Sequence, residues 1–234
     1  MSRTSISRHV HLFAAILASA PSGALAAPPT PADAAPRLSA AARAILAGAK
    51  EEARRRTRYD LTMGYHVTTW RDGKDTKRAV RAGGDVDPSM GVCTDLVIRA
   101  LRNAGYDLQA LVSADRRGEP ASYPQGKIDT NIDHRRVPNL LVYLRRHGQT
   151  LTTEATPRTY AQWQPGDIVA WWLKGRGRVD HIGIISDRRD PRTGRPWVIH
   201  AYPAPGYTAE LDVLTTWRIA AHHRFPRDGK VRPR

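Results

Sequence analysis

The order of its hydrophobic periods constrains this chain more than any other feature. Between Ser39 and Gly148 apolar residues recur at three- and four-residue steps. From Asp167 onward they alternate or run in short β-type blocks separated by polar turns. A helical period followed by a strand period, with short hairpin-like connections in the second part, argues for an α+β fold: N-terminal helices packed on a small antiparallel β-sheet.

The elements can be placed from their punctuation. Ser39 precedes Ala41, Ala42, Ile45 and Leu46 and is the expected cap of a first helix that ends in the charged run Glu51 to Arg56. A second helix opens at Gly91-Val92-Cys93-Thr94-Asp95, carries Leu96, Val97, Ala100 and Leu101 on one face, and stops at Gly105. Asp107 to Gln125 reads as loop and turn. A third helix starts near Pro138, whose missing N–H is harmless in a first turn, and reaches Gly148. Strands are expected over Asp167–Leu173, Val179–Ser186, Pro196–Tyr202 and within Thr215–Phe225, with Trp163-Gln164-Pro165-Gly166 as a turn before the first.

Residues 1–26 have the anatomy of a secretory signal peptide. Arg3 and Arg8 precede the apolar Val10–Ala20 stretch, and Ala24-Leu25-Ala26 supplies the small-x-small cleavage pattern. Residues 27–37, rich in Ala and Pro, form a flexible lead-in; residues 38–226 make one domain; residues 227–234 are a basic tail. No later apolar run reaches the roughly 20 residues a membrane span requires, so no stable membrane insertion is expected. The expected location is periplasmic or secreted. The chain carries a formal charge of +15, which favours anionic surroundings. For an exported protein those are cell-wall polymers and lipid head groups. No basic stripe with interleaved aromatics marks a nucleic-acid partner.

One cysteine is present, so no internal disulfide can form. A lone thiol in an oxidising compartment is a liability unless buried or used. Cys93 falls in the first turn of a predicted helix, where free N–H groups and the helix dipole favour a thiolate and lower its pKa. Gly91 just before it leaves room for a substrate. A cysteine nucleophile needs a base and the base needs an orienting partner. His181, in Val179-Asp180-His181-Ile182-Gly183-Ile184-Ile185, shares a strand face with Gly183, which suggests a face kept open. If Asp187–Gly194 is the turn of a hairpin, His200 falls beside His181; Asp187 is the fallback orienter. Asn131 to Arg136 gathers further candidates: His134, Arg135 and Arg136, the arginines suited to a substrate carboxylate, with Asp133 and His134 alternatively capping a helix. Asp95, Tyr65 and Tyr202 complete the candidate substrate-binding set.

In sequence order, a cysteine opening a helix, Gln164-Pro165-Gly166-Asp167-Ile168-Val169, Asp180-His181-Ile182-Gly183-Ile184 and Val198-Ile199-His200-Ala201 together resemble the NlpC-type cell-wall peptidases of the papain-like superfamily. The resemblance implies a papain-like fold, Cys93 as nucleophile, His181 as base and His200 as orienter. It also implies an amide substrate in peptidoglycan peptides and no cofactor. The Gly91–Asp95 string, the Asn131–Leu140 string and the Pro-Gly-Asp strand are similar to a YijF-like bacterial family known as a domain of unknown function. The NlpC group carries Asp-Cys-Ser-Gly at the nucleophile, whereas Val-Cys-Thr-Asp stands here, so specificity does not transfer.

Three other readings use the same residues. A zinc amidase would draw on His134, His181 and either Cys93 or His200, although no His-Glu-x-x-His is present. A non-enzymatic wall-binding module would keep the fold without the chemistry. An acyl transferase would resolve the Cys93 thioester with an amine or alcohol in place of water.

Overall fold

The computed structural model describes residues 38–63, 70–71, 74–75 and 87–227. The proposed signal peptide and lead-in, Tyr65, and residues 228–234 lie outside the described residues.

Helix α1 spans Ala40–Arg55, and the Ser39 hydroxyl accepts the Ala42 N–H at 3.0 Å. Its buried stripe of Ala42, Ile45, Leu46 and Ala49 faces the core. Helix α2, Cys93–Asn103, crosses α1 closely at Gly48, where an added Cβ would meet the Asn103 Cβ at 2.8 Å and the Ala100 Cα at 2.9 Å. Leu96, Val97, Ala100 and Leu101 are buried on α2 as their spacing requires.

The expected loop after Asp107 contains a helix. Helix α3 runs over Leu108–Gly118, with the Asp107 carboxylate accepting the Gln109 N–H at 3.0 Å. Its buried face mixes Leu108 and Val112 with Gln109, Ser113 and Arg116, so its apolar stripe is too thin to read as a period. Helix α4, Val137–His147, begins at the expected proline, and Gly148 ends it. Just before it, Asp133–Arg135 form a single 3-10 turn, and Arg136 takes the N-cap position without a side-chain cap bond, so neither Asp133 nor His134 caps α4.

The main sheet is larger than expected and not wholly antiparallel. Its strands are β1 (Arg58–Tyr59), β4 (Met90–Gly91), β5 (Gln149–Thr150), β6 (Ile168–Trp172), β7 (His181–Arg189), β8 (Pro196–Tyr202), β9 (Tyr207–Leu211) and β10 (Arg218–Arg224). They lie in the order β4-β1-β9-β8-β7-β6-β10-β5; β1 and β4 pair parallel and the rest antiparallel. A separate ribbon joins β2 (Trp70–Arg71) to β3 (Lys74–Asp75). Strand β9, in which Thr208 alone is fully buried, and the two-residue strands show no visible alternation.

Alternation divides the sheet's two faces. Ile168, Ala170, Ile182, Ile184 and Ile199 join the helices in one core, which also takes in Cys93. Val169, Trp171, Ile185 and Val198 form a second core with Trp163 and Leu214 on the other face. Asp167 ties β6 to β10 below that core: its carboxylate accepts His222 Nε2 at 2.9 Å and Arg224 Nε and Nη2 at 2.8 Å each. Trp163 stacks flat on the His222 ring at 3.8 Å.

Candidate active site

Cys93 is the first residue of α2. The Asp95 carboxylate, two residues on, accepts the Val92 N–H at 2.8 Å and so caps the helix. An added Cβ on Gly91 would lie 2.8 Å from the Asp95 Cβ, so this glycine makes room for the cap and not for a substrate. The other side of the Asp95 carboxylate takes Arg135 in a bidentate pair, 2.8 Å from each nitrogen, with both side chains buried. The 3-10 turn before α4 is thereby clamped to the head of α2. Asp95 and Arg135 spend their charges on one another, which leaves neither open to a substrate in the way expected from the sequence. Burial acts to raise the Asp95 pKa, yet the Arg135 charge and hydrogen bonds, the Arg99 charge and the Val92 N–H together hold it below the usual carboxylate range.

Cys93 is 7% exposed. Burial pushes it up to about 12 and Asp95 adds to the rise, while the main-chain amides of Ile182, Thr94 and Cys93 itself pull the other way. The helix head is where the sequence placed it, but the expected lowering of the pKa is overturned, because loss of water outweighs a few oriented N–H groups. The resting group is a neutral thiol.

His181 opens β7, directly before Ile182, whose amide faces the Cys93 sulfur. The β7–β8 hairpin brings His181 Nε2 to His200 Nδ1 at 2.8 Å. Both rings are buried, at 2% and 1% exposure. Burial, then the neighbouring His200, lowers His181 to about 3; burial lowers His200 to about 4. His181 also packs against Trp171, Tyr202 and Trp217, with ring centroids at 5.4, 5.3 and 5.4 Å. No hydrogen bond joins Cys93 to His181: the sulfur belongs to the helix-side core, and the imidazole leans on the aromatic rings of the other face. With Nε2 engaged by His200, Nδ1 makes no hydrogen bond among the described residues. The face beside Gly183 is not open; a Cβ there would meet Ile199 O and Val198 Cγ1 at 2.9 Å and the His200 Cβ at 3.2 Å. Asp187, the fallback orienter, lies toward the far end of β7 and pairs with Lys50 at 2.5 Å.

A cleft of ≈ 220 Å³ opens over Cys93. Val92, Cys93 and Thr94 line it from the head of α2. Ile132 and Arg135–Pro138 line it from the start of α4, Arg178–Asp180 from the approach to β7, and Tyr59 and Leu61 from the β1 side. Among the candidates, Cys93, Arg135 and Arg136 therefore meet in this cleft, and Tyr202 joins the histidine cluster instead. His134 is buried and does not line the cleft; burial lowers its pKa to about 4. Sequence reasoning missed Tyr59, Thr94 and Arg178. Tyr59 sits in a two-residue strand without a readable pattern, and its phenol is pushed up to about 12, chiefly by burial. Arg178 was legible in part, since Lys174, Arg176 and Arg178 make a basic run just ahead of His181. Among the described residues no group of three His, Cys, Asp or Glu side chains is arranged to hold a metal ion. No described helix is long and apolar enough to cross a membrane.

Comparison with known proteins gives three results. Two crystal structures of an N-acetylmuramoyl-L-alanine amidase from Bacteroides uniformis ATCC 8492 align with 80% of this chain and 99% of theirs, at TM-scores of 0.46 and 0.45 and identities of 15% and 14%. The uncharacterized protein YijF of Escherichia coli (strain K12) is 46% identical over 147 residues, 61% of this chain and 68% of that protein. Residues 48–225, which carry the helix-borne cysteine, the cleft and both histidine strands, match the domain of unknown function DUF1287, and the chain belongs to that family, of which YijF is a relative.

Proposed function

We propose that the protein is an exported cysteine hydrolase of papain-like, NlpC-type fold that cuts an amide bond in cell-wall peptides. Residues 1–26 serve as its signal peptide, residues 38–226 as the catalytic domain, and the periplasm or exterior as its location. The observation that carries the reading is the position of Cys93. It heads α2 on the lining of the cleft, its sulfur faces the amide that follows His181, and His181 is itself held by His200.

The chemistry starts from neutral partners. His181 Nδ1 takes the thiol proton as the sulfur attacks the carbonyl carbon, a step that requires the imidazole to leave the aromatic rings and reach the sulfur past Ile182. Charge gathers on the carbonyl oxygen, where the Cys93 N–H and the Tyr59 hydroxyl are the available donors. The C–N bond then breaks and the amine leaves with the proton from His181. Water attacks the thioester, passes a proton through His181 to sulfur, and releases the acid. His200 keeps the imidazole oriented throughout, and the same thioester would serve acyl transfer if an amine or alcohol took the place of water.

The test is incubation of purified peptidoglycan with wild type, Cys93→Ala and His181→Ala, with released fragments read by mass spectrometry. New amino termini from wild type, none from either variant and no effect of a chelator are expected. Chelator-sensitive cleavage would support the zinc amidase, and wall binding without any product would support a binding module.

A further inference from the structure

The charges around the cleft are unequal in their freedom. Arg135 is neutralised by Asp95 in the buried bidentate pair. Arg136, on the α4 side, has a side chain 40% exposed and reaches only Asp133 at 3.4 Å, a carboxylate that already carries the buried Arg116. Arg178, on the β7 side, is exposed and has no carboxylate partner among the described residues. Asp180 is the acidic residue of the lining, and its Oδ1 is turned to the Leu173 N–H at 3.0 Å. Two cations with spare hydrogen-bonding capacity thus line the same cleft as Cys93, one from the start of α4 and one from the approach to β7.

The rest of the lining is largely apolar: Val92, Ile132, Val137 and Val179. Apolar walls exclude water and strengthen an ion pair made between them. A guanidinium pair is suited to one carboxylate, which accepts two N–H bonds from each fork. We propose that Arg136 and Arg178 form a carboxylate-selecting subsite, so that the preferred substrate is a peptide bearing a free carboxylate within about one residue of the amide bond cut at Cys93. This inference rests on the hydrolase reading for its cleavage step, but its binding step stands apart from it.

The experiment therefore measures binding and turnover separately. Disaccharide peptides released from peptidoglycan by lysozyme serve as the acidic probe, and the same peptides with carboxylates amidated by carbodiimide and ammonia serve as the neutral one. Calorimetric titration of full-length Cys93→Ala should show Kd at least about tenfold lower for the acidic probe, as two charge-assisted contacts on a partly exposed rim imply. Adding Arg136→Gln and Arg178→Gln together should erase that preference, with urea midpoints confirming that the exposed substitutions leave the fold intact. Equal affinity for both probes, no affinity for either, or a preference that survives the double substitution would each overturn the subsite. If the preference is present while wild type cuts neither probe, the subsite stands and the hydrolase reading falls; if wild type cuts both probes alike, the subsite alone falls.

Discussion

Replacing Arg135 by Met should cost about 3 kcal/mol of stability, and the structure says how. The guanidinium is buried against Asp95 at 2.8 Å from each nitrogen. Removing one partner of such a pair strands the other charge, at a cost of about 3–5 kcal/mol. Two features soften it: Asp95 keeps the Val92 N–H at 2.8 Å, and the helix dipole is worth about 0.3–1 kcal/mol to a first-turn carboxylate. For a domain of this size a urea slope of about 2 kcal/mol per molar turns that loss into a midpoint about 1.5 M lower. Asp95→Asn in the Arg135→Met background should restore part of the loss, since it removes the stranded charge and keeps an acceptor for the cap. The pH dependence follows from the lowered Asp95 pKa. A depressed folded pKa adds stability above the unfolded value of about 3.9, which is lost as pH falls through the folded pKa. In Arg135→Met that support is gone, so its deficit against wild type should be greatest near neutrality and shrink in acid. A midpoint shift below about 0.3 M at pH 7, or a deficit that grows in acid, would refute the clamp.

Three further outcomes are expected. Alkylation of Cys93 by iodoacetamide should accelerate about tenfold per pH unit between pH 7 and 9, because the thiol is pushed up to about 12 and only the thiolate reacts; a plateau by pH 7 would mean a preformed thiolate. Gly183→Ala, whose new Cβ would press on Ile199 O and Val198 Cγ1 at 2.9 Å, should destabilise by about 1–3 kcal/mol in urea titration and lower turnover by displacing His200; wild-type turnover would separate the two. His222→Ala, which removes the Trp163 stack and one bond to the buried Asp167, should cost about 2 kcal/mol while leaving Cys93 alkylation at the wild-type rate, and altered alkylation would show the two faces of the sheet to be coupled.

How far the sequence could be read depended on how local each signal was. Ser39, the Val92-Cys93 helix start, Pro138 and Gly148 marked helix ends because capping is settled within a few residues. The polar turn after β7 implied a hairpin, and a register that pairs Ile184 with Ile199 sets His200 diagonal to His181 on one face. Helix α3 escaped because Gln109, Ser113 and Arg116 point inward, and Arg116 does so to meet Asp133, whose partnership no local pattern announces. The same holds for Asp95 and Arg135, 40 residues apart in sequence: each looked like a free binding group until the fold joined them. Gly91 and Gly183 were read as space for a substrate, and the structure fills both spaces with the protein's own Asp95, Val198 and His200. The thiol's position was legible and its ionisation was not, since burial is a property of the assembled core.

Rapid acid quench during turnover of peptidoglycan peptides, followed by peptide mapping, asks most directly whether the sulfur at the head of α2 is the attacking atom. A thioester-linked acyl fragment on Cys93 is expected in the wild-type protein, and neither fragment nor product with Cys93→Ala. Continued release of amine by Cys93→Ala at the wild-type rate would contradict it.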